Sequence, residues 1–176
     1  FRETRSLMDT TVTIQIRDEN KNHASGAIDE AFDKMIQTEN LMSAYDENSQ
    51  LYKLNNDGYL KNANPELVYV IKKSKHYYNI SNGAFDITVK PIIDLWESKF
   101  APDGPHKPPT DEEINETLKL VNISNITIKD TNLHMKEDMG ITLGGIAKGY
   151  VVDKAIESLR KSGIKHGFVN AGGDGR

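Results

Sequence analysis

The sequence is most informative at residues 142–150, which read Thr142-Leu143-Gly144-Gly145-Ile146-Ala147-Lys148-Gly149-Tyr150. An apolar, strand-like run over residues 141–143 leads into two adjacent glycines, and an amphipathic helical pattern follows them. A second short strand with its own glycine pair comes next, in Asn170-Ala171-Gly172-Gly173-Asp174. Glycines at such junctions let a ligand approach the backbone closely, and a helix N-terminus favours negative charge. The stretch therefore favours a phosphorylated ligand, although it matches neither the P-loop nor the dinucleotide-binding fingerprint.

Hydrophobic periodicity predicts a mixture of helices and strands in the rest of the chain. Residues 11–16 alternate with period two, as in a half-buried strand, and helical spacing recurs over residues 24–42. Thr110-Asp111-Glu112-Glu113 is a capping box that starts another helix. Residues 125–130 and 133–136 are typical of two strands joined by a turn. The predicted fold class is α+β, with a mixed or antiparallel sheet packed against helices and incomplete at the C-terminus.

Proline and glycine mark the remaining boundaries. Pro65 is expected at the start of one helix and Pro91 at the start of a short one, as the first-turn preference for proline predicts. Gly163 is placed to end the helix that follows Gly145. Residues 101–109 contain four of the six prolines, which predicts a loop there. We expect residues 1–176 to form a single functional region.

Composition excludes several classes of function. A net charge of −4 and the absence of a Lys/Arg cluster argue against a nucleic-acid surface. The chain has no cysteine, which excludes thiol chemistry, disulfides and cysteine-based zinc sites. Its five histidines fall in no metal-binding spacing, and no segment approaches the roughly 20 apolar residues that span a bilayer. An anionic ligand would therefore need local hydrogen-bond donors or a metal ion.

Each candidate residue, taken alone, also has a structural explanation. A glycine pair before a helix is most often a packing turn, and Lys148 alone is most often a solvated helix residue. Tyr45 and Phe85 alone are most often core or rim residues, and Asp86 could cap the turn that follows Gly83. A functional interpretation therefore depends on the combination of motifs.

Five motifs occur in order along the chain. They are Met8-Asp9-Thr10-Thr11; Met42-Ser43-Ala44-Tyr45 with Ser49 and Leu54-Asn55; Gly83-Ala84-Phe85-Asp86-Ile87-Thr88-Val89-Lys90-Pro91 with Leu95-Trp96; Leu143-Gly144-Gly145-Ile146-Ala147-Lys148-Gly149-Tyr150 with Asp153; and Val169-Asn170-Ala171-Gly172-Gly173-Asp174. Together they resemble the ApbE-like family, the FAD:protein FMN transferases once described as thiamine-biosynthesis lipoproteins. The resemblance runs from about Met8 to the last residue.

The resemblance implies an activity and a location. Members use Mg²⁺ to split the pyrophosphate of FAD, transfer FMN to a Ser or Thr hydroxyl of an acceptor protein, and release AMP. The acceptor is typically a subunit of a membrane redox pump, and some members also hydrolyse FAD to FMN and AMP. The enzyme is expected in the cell envelope, periplasmic or extracytoplasmic and lipid-anchored through a segment not present here. The chain begins at Phe1 without methionine, consistent with a removed leader.

The resemblance also assigns the site. Flavin- or adenine-contacting positions fall on Met8, Tyr45, Ala84, Phe85 and Asp86, and further FAD-contacting positions on Thr142 and Lys148. Gly145 matches a position whose backbone carbonyl helps to hold the metal, and no catalytic residue is assigned. These types suit the roles: aromatic faces support flat rings, carboxylates accept hydrogen bonds, and a lysine near a helix start neutralises phosphate.

Three departures from the family pattern leave alternatives open. Asp9 stands where the family has glycine, and Thr142 stands where it usually has aspartate. The family continues well beyond Arg176, into the part that holds its principal side-chain metal ligands, and one carbonyl does not complete a Mg²⁺ shell. A C-terminal half or a second chain would then complete the fold. The alternatives are a non-catalytic FAD-binding protein, an FAD pyrophosphatase, or a remnant that binds nothing.

Overall fold

A computed structural model describes residues 1–176 of the protein. In chain order the elements are β1 (Arg2–Leu7), β2 (Thr10–Arg17), α1 (Lys21–Met42), α2 (Gln50–Asp57), β3 (Tyr59–Leu60), α3 (Pro65–Ile80), α4 (Lys90–Phe100), α5 (Asp111–Leu118), β4 (Thr127–Lys129), β5 (Asn132–His134), α6 (Ala147–Lys161), β6 (His166–Ala171) and β7 (Asp174–Gly175). Two short 3-10 helices, Ile87–Val89 and Ile123–Asn125, complete the list. None of the helices is both long and apolar enough to cross a membrane.

The chain divides into two compact units. Unit 1 consists of Phe1–Leu41 and Ile146–Arg176, and unit 2 is the continuous segment Met42–Gly145 between them in sequence. The prediction of a single functional region over residues 1–176 concerns function and stays a prediction.

Unit 1 is built on an antiparallel sheet with the strand order β1-β2-β6-β7. The period-two pattern of β2 buries Val12, Ile14 and Ile16 on one face, and these side chains pack with residues of α1 and α6. In the register of β2 and β6, Ile14 lies opposite Val169, which is also fully buried. A single apolar layer between the sheet and the two helices therefore forms the core of this unit.

Unit 2 contains four helices, the two 3-10 helices and a small antiparallel sheet with the order β3-β5-β4. Its largest fully buried side chains come from several elements and are Leu51, Leu54, Leu67, Ile71, Ile123, Ile126, Leu133, Met135 and Ile141. The helices α4 and α5 have no buried residue, and the ion pair of Lys99 with Glu113 joins them. Residues 101–109, between these two helices, form neither a helix nor a strand.

Most of the predicted elements are confirmed. The α+β class and the antiparallel sheets are present, and α3 begins at Pro65 as expected. The capping box is complete, because Thr110 Oγ1 accepts from Glu113 N at 3.2 Å and Glu113 Oε2 accepts from Thr110 N at 2.8 Å. Gly163, with φ of +83°, follows the end of α6. The helix expected from Pro91 begins one residue earlier and continues to Phe100.

One predicted strand is wrong. Residues 141–143 have no strand partner, although Ile141 and Leu143 are buried as the apolar pattern suggested. The reason is that a side chain replaces the neighbouring strand: the amide of Asn55 makes hydrogen bonds with both backbone groups of Ile141. The helix after Gly145 also differs in detail, since Ala147 is half-buried whereas Val152 and Ile156 are buried.

Candidate functional site

The aromatic part of the candidate site lies in the turn between α3 and the first 3-10 helix. Gly83 adopts φ of +83°, which reverses the chain after α3, and its N–H donates to Tyr78 O at 2.9 Å. Phe85 N then donates to Ser81 Oγ at 3.0 Å. The half-buried Phe85 ring meets the edge of the Tyr77 ring, with a centroid separation of 6.2 Å and an interplanar angle of 76°. A pair of aromatic rings therefore lies at this turn, in which Ala84 is exposed.

Both carboxylate oxygens of Asp86 accept hydrogen bonds that hold this turn. Asp86 Oδ1 accepts from Thr88 N at 2.8 Å and from Thr88 Oγ1 at 2.7 Å. Asp86 Oδ2 accepts from Ile123 N at 3.1 Å. The capping explanation for Asp86 is thus confirmed, and a ligand could use only the lone pairs that these bonds leave.

The glycine loop, defined as residues 142–145, packs against the same turn. Thr142 N donates to Ile87 O at 2.8 Å, and Thr142 Oγ1 accepts from Gly144 N at 3.3 Å. A Cβ atom added to Gly145 would lie 3.2 Å from Phe85 Cε2, which is tighter than an ordinary contact. The absence of a side chain at Gly145 therefore lets the loop approach the Phe85 ring. The structure brings Phe85, Asp86, Thr142 and Gly145 together in unit 2.

Tyr45 stands apart from this group of residues. It lies in the loop after α1, its side chain is 72% exposed, and its N–H donates to Ser43 Oγ at 3.2 Å. No hydrogen bond or ring contact joins Tyr45 to Phe85 or Asp86. A ring so exposed is free to stack on a ligand, but the structure does not bring it to the other predicted residues of unit 2.

Met8 belongs to unit 1 and lies in the tight turn between β1 and β2. Both Met8 and Asp9 have φ of +53°, which is the pattern of a two-residue hairpin turn that glycine usually favours. Met8 N donates to Glu39 Oε1 at 3.0 Å. Burial, together with the nearby charge of Asp9, raises the pKa of Glu39 above its usual range. A shallow groove of about 620 Å³ at this turn is lined by Ser6, Leu7, Met8, Asp9, Thr10, Thr11 and Glu39.

Lys148 is the second residue of α6, also in unit 1. Its side chain is half-buried and makes no ion pair. No side chain caps the start of α6, because Ile146 occupies the cap position. The first N–H groups of α6 and the Lys148 ammonium together provide a positive end that suits a phosphate oxygen.

The side chains of this chain do not assemble a magnesium site. No group of three or more His, Asp or Glu side chains is arranged to hold a metal ion. Mg²⁺ needs octahedral oxygen coordination, whereas the expected contribution of Gly145 is one backbone carbonyl. The residues described here therefore do not fit a complete Mg²⁺ shell.

Two residues near the candidate site were not assigned a role from the sequence. Asn55 was part of a motif, but a motif does not show which backbone its amide contacts. Glu39 carried no signal, because a carboxylate near the end of an amphipathic helix is usually a solvated residue. Its contact with Met8 N depends on the path of the β1–β2 turn.

Comparison with known proteins gives consistent results. The FAD:protein FMN transferase of Vibrio cholerae is 29% identical over 172 residues, which cover 95% of this chain and 51% of the relative. The protein of the same name from Haemophilus influenzae is 29% identical over 143 residues, covering 76% of this chain and 40% of the relative. The chain thus spans about half the length, or less, of these curated relatives.

Solved structures agree with this result. A single-substitution variant of the flavin transferase ApbE from Vibrio cholerae matches with a TM-score of 0.85 and 26% identity, over 100% of this chain and 61% of that one. The ApbE protein of Thermotoga maritima matches with a TM-score of 0.86 and 27% identity, over 98% and 56%. The family model described as the ApbE family matches residues 8–176, so nearly the whole chain is covered, and the chain belongs to the ApbE family.

Proposed function

We propose that the protein is an FAD:protein FMN transferase. The observation that carries the proposal is the family match over residues 8–176, which includes all the motifs and every assigned site residue. In the proposed reaction a Ser or Thr hydroxyl of an acceptor protein attacks the FMN-side phosphorus of FAD. The pyrophosphate bond breaks, AMP leaves with the bridging oxygen, and the hydroxyl proton is lost to a base.

The geometry of unit 2 supports a role in holding the flat rings of FAD. The paired rings of Tyr77 and Phe85 offer apolar surface, and Phe85 lies beside the exposed Gly145. The remaining lone pairs of Asp86 can accept from a ring or ribose donor. In unit 1, the Lys148 ammonium near the start of α6 would neutralise phosphate charge that a chain of net charge −4 otherwise resists.

The same proposal includes two further features. The reaction depends on Mg²⁺, and the acceptor belongs to a membrane redox complex. Since the residues described do not fit a full Mg²⁺ shell, the ion would need oxygen ligands in addition to this chain's side chains. We also propose an extracytoplasmic, lipid-anchored location. Fractionation of cells that produce the full protein tests this: recovery of the protein only in the cytosol would contradict it.

One observation favours a second candidate, FAD binding without transfer. Asp9 and Glu39 line the same groove at the β1–β2 turn, and Asp9 contributes to the raised pKa of Glu39. The carboxyl group of Asp9, which stands where the family has glycine, would oppose a phosphate at this turn. Transfer needs close approach of the phosphates, whereas stacking of the flat rings on aromatic side chains does not. FAD pyrophosphatase activity is the third outcome, with water in place of the acceptor hydroxyl.

The test uses the longest form of the protein, mixed with FAD, Mg²⁺ and a candidate acceptor domain. In-gel fluorescence and intact mass would detect covalent flavin, and a mass gain equal to FMN on the acceptor establishes transfer. Saturable FAD binding without transfer supports the second candidate, and release of free FMN and AMP supports the hydrolase. Absence of both FAD binding and turnover would contradict all three candidates.

A matched pair of lysines on α6 sharpens this test. Lys148→Ala is expected to weaken FAD binding, because it removes the positive charge near the start of the helix. Lys161→Ala removes an exposed lysine from the last turn of the same helix and should leave binding unchanged. Equal effects of the two substitutions would mean that only the net charge matters.

A further inference from the structure

The side chain of Asn55 makes an unusual pair of contacts within unit 2. Asn55 lies in the last turns of α2, 86 residues before Ile141. Its Nδ2 donates to Ile141 O at 2.9 Å, and its Oδ1 accepts from Ile141 N at 2.7 Å. One amide thus satisfies both backbone groups of a fully buried residue, as a neighbouring strand would.

This contact fixes the entry to the glycine loop. Thr142, directly after Ile141, has its own N–H bonded to Ile87 O at 2.8 Å, next to Asp86. Two consecutive residues are therefore held from two different elements, α2 and the first 3-10 helix. Beyond them, the loop has only the weak internal bond of Gly144 N to Thr142 Oγ1 at 3.3 Å. The position of Gly145 beside Phe85 depends on these upstream contacts.

We propose that Asn55 is a positioning residue for the ligand site, which sets the position of the glycine loop without touching the ligand. The inference rests on the proposed function, in which the loop and Phe85 contact FAD. A loop backbone held before the ligand arrives need not be ordered at the moment of binding, and such preorganisation raises affinity. Loss of the Asn55 contacts should therefore weaken FAD binding while the unit stays folded.

The chain offers a matched control at the next position. Asn56 lies on the same helix, is exposed, and donates only to its neighbour Asp57, at 2.7 Å between Nδ2 and Oδ1. Asn55→Asp keeps the size of the side chain and the acceptor for Ile141 N. It replaces the donor with an oxygen that faces Ile141 O, so one bond becomes a repulsion. Asn56→Asp makes the same chemical change where no loop contact exists.

The experiment compares the parent with both variants in the longest form of the protein. FAD affinity is measured by flavin fluorescence at a temperature at which thermal denaturation shows each protein fully folded, and amide hydrogen exchange is followed across unit 2. For Asn55→Asp we expect at least tenfold weaker FAD binding and faster exchange at residues 141–145, with protection in α3 unchanged. For Asn56→Asp we expect parental values. If Asn55→Asp does not fold, Asn55→Gln is measured in its place; it keeps the donor and the acceptor one methylene further out. We expect changes in the same direction, with a smaller loss of FAD affinity.

The outcomes separate this inference from the proposed function. A parent protein that does not bind FAD overturns the proposed function and, with it, the ligand role of Asn55. A parent that binds FAD, with a folded Asn55 variant that binds equally well despite faster exchange at residues 141–145, overturns the positioning role alone. An affinity loss that accompanies loss of protection throughout unit 2 also overturns it, because Asn55 would then act on general stability.

Discussion

The carboxylate of Asp86 accepts three hydrogen bonds, from Thr88 N, Thr88 Oγ1 and Ile123 N. Thr88 is fully buried, so its hydroxyl has no access to water as a substitute partner. We expect Asp86→Ala to lower the free energy of unfolding by about 1–3 kcal/mol, the cost of leaving buried donors unpaired. Urea denaturation measures this loss.

A control on α4 separates the Asp86 effect from a change of charge. Asp94→Ala removes a half-exposed carboxylate paired with Lys90, which should cost no more than about 1 kcal/mol. FAD affinity is measured on the same two variants, with an expected weakening of about 1–3 kcal/mol for Asp86→Ala. If that affinity equals the parent's while stability falls, Asp86 is a structural cap and leaves the proposed site.

Thr142 is the second single residue at which the candidate site can be tested. Its Oγ1 accepts from Gly144 N at 3.3 Å, a long bond to a neutral acceptor. In Thr142→Asp a carboxylate, the usual residue of the family, could accept the same N–H more strongly. We expect higher FAD affinity or transfer activity, measured by fluorescence titration and acceptor labelling. A clear loss in either would mean that threonine is adapted to this chain's loop.

At the level of elements, α5 combines a complete cap with little packing. It has no buried residue, so packing contributes little, and the capping box of Thr110 and Glu113 satisfies its first N–H groups. We expect Thr110→Ala to lower the free energy of unfolding by about 0.5–2 kcal/mol, whereas Thr110→Ser, which keeps the hydroxyl, should be nearly neutral. Hydrogen exchange at the α5 amides would localise the effect. Equal stability of the two variants would contradict it.

The start of α1 is joined to the end of α6 by a titratable contact. His23 Nδ1 lies 2.8 Å from Asp18 Oδ2, and its Nε2 lies 2.8 Å from Ser162 O. The bond to Asp18, then the bond to Ser162 O, raises the pKa of His23 above 6.5, because only the protonated ring donates to both. The bonds from Asn20 N and His23 lower the pKa of Asp18 below 3.8.

These shifts predict a pH dependence of stability with a defined sign. The folded-state pKa of His23 is raised, so its contribution is complete below pH 6.5 and is lost as the pH rises through the folded value. The contribution of Asp18 is complete above pH 3.8 and is lost as the pH falls through its lowered pKa. We expect the parent to be more stable than His23→Ala between these limits, with a difference that shrinks above pH 6.5. A difference independent of pH, in urea denaturation at several pH values, would contradict it.

The elements that the sequence predicted well are those specified by local patterns. The alternation of β2, the proline at the start of α3 and the capping box of α5 all use physical rules that act within a few residues. The strand β1 was not predicted, because its sequence of charged and polar residues takes its strand form from pairing with β2. Residues 141–143 were predicted as a strand because their apolar pattern indicates burial. The sequence does not indicate that Asn55, far away along the chain, bonds to Ile141.

The same limit applies to the candidate site. The motifs named Phe85, Asp86, Thr142 and Gly145, but spacing could not show that a glycine at residue 145 lets the loop approach the Phe85 ring. Nor could it show that hydrogen bonds from Thr88 and Ile123 occupy both oxygens of Asp86. Contacts between residues far apart in sequence decide these points, and they follow from the fold.

At the scale of the whole molecule, the two units differ in how the sequence encodes them. Unit 1 is made of two segments, and its sheet pairs β2 with β6, two strands that lie near opposite ends of the sequence. Unit 2 is continuous, and its own buried residues come from α2, α3, β5 and the segments around them. A continuous segment with its own core meets the requirements for an independently folding domain.

We therefore expect an isolated polypeptide of residues 42–145 to fold without the rest of the chain. It should show helical circular dichroism and a cooperative urea transition, with a smaller m-value than the parent because less surface is buried. The protected amide of Ile141, held by Asn55, provides a local marker of native structure in this fragment. The fragment lacks His23, so its stability should not show the loss above pH 6.5 expected of the parent. A fragment with helical signal but no cooperative transition would mean that unit 2 does not pack stably without unit 1. A fragment with the same pH dependence as the parent would assign that effect to groups other than His23.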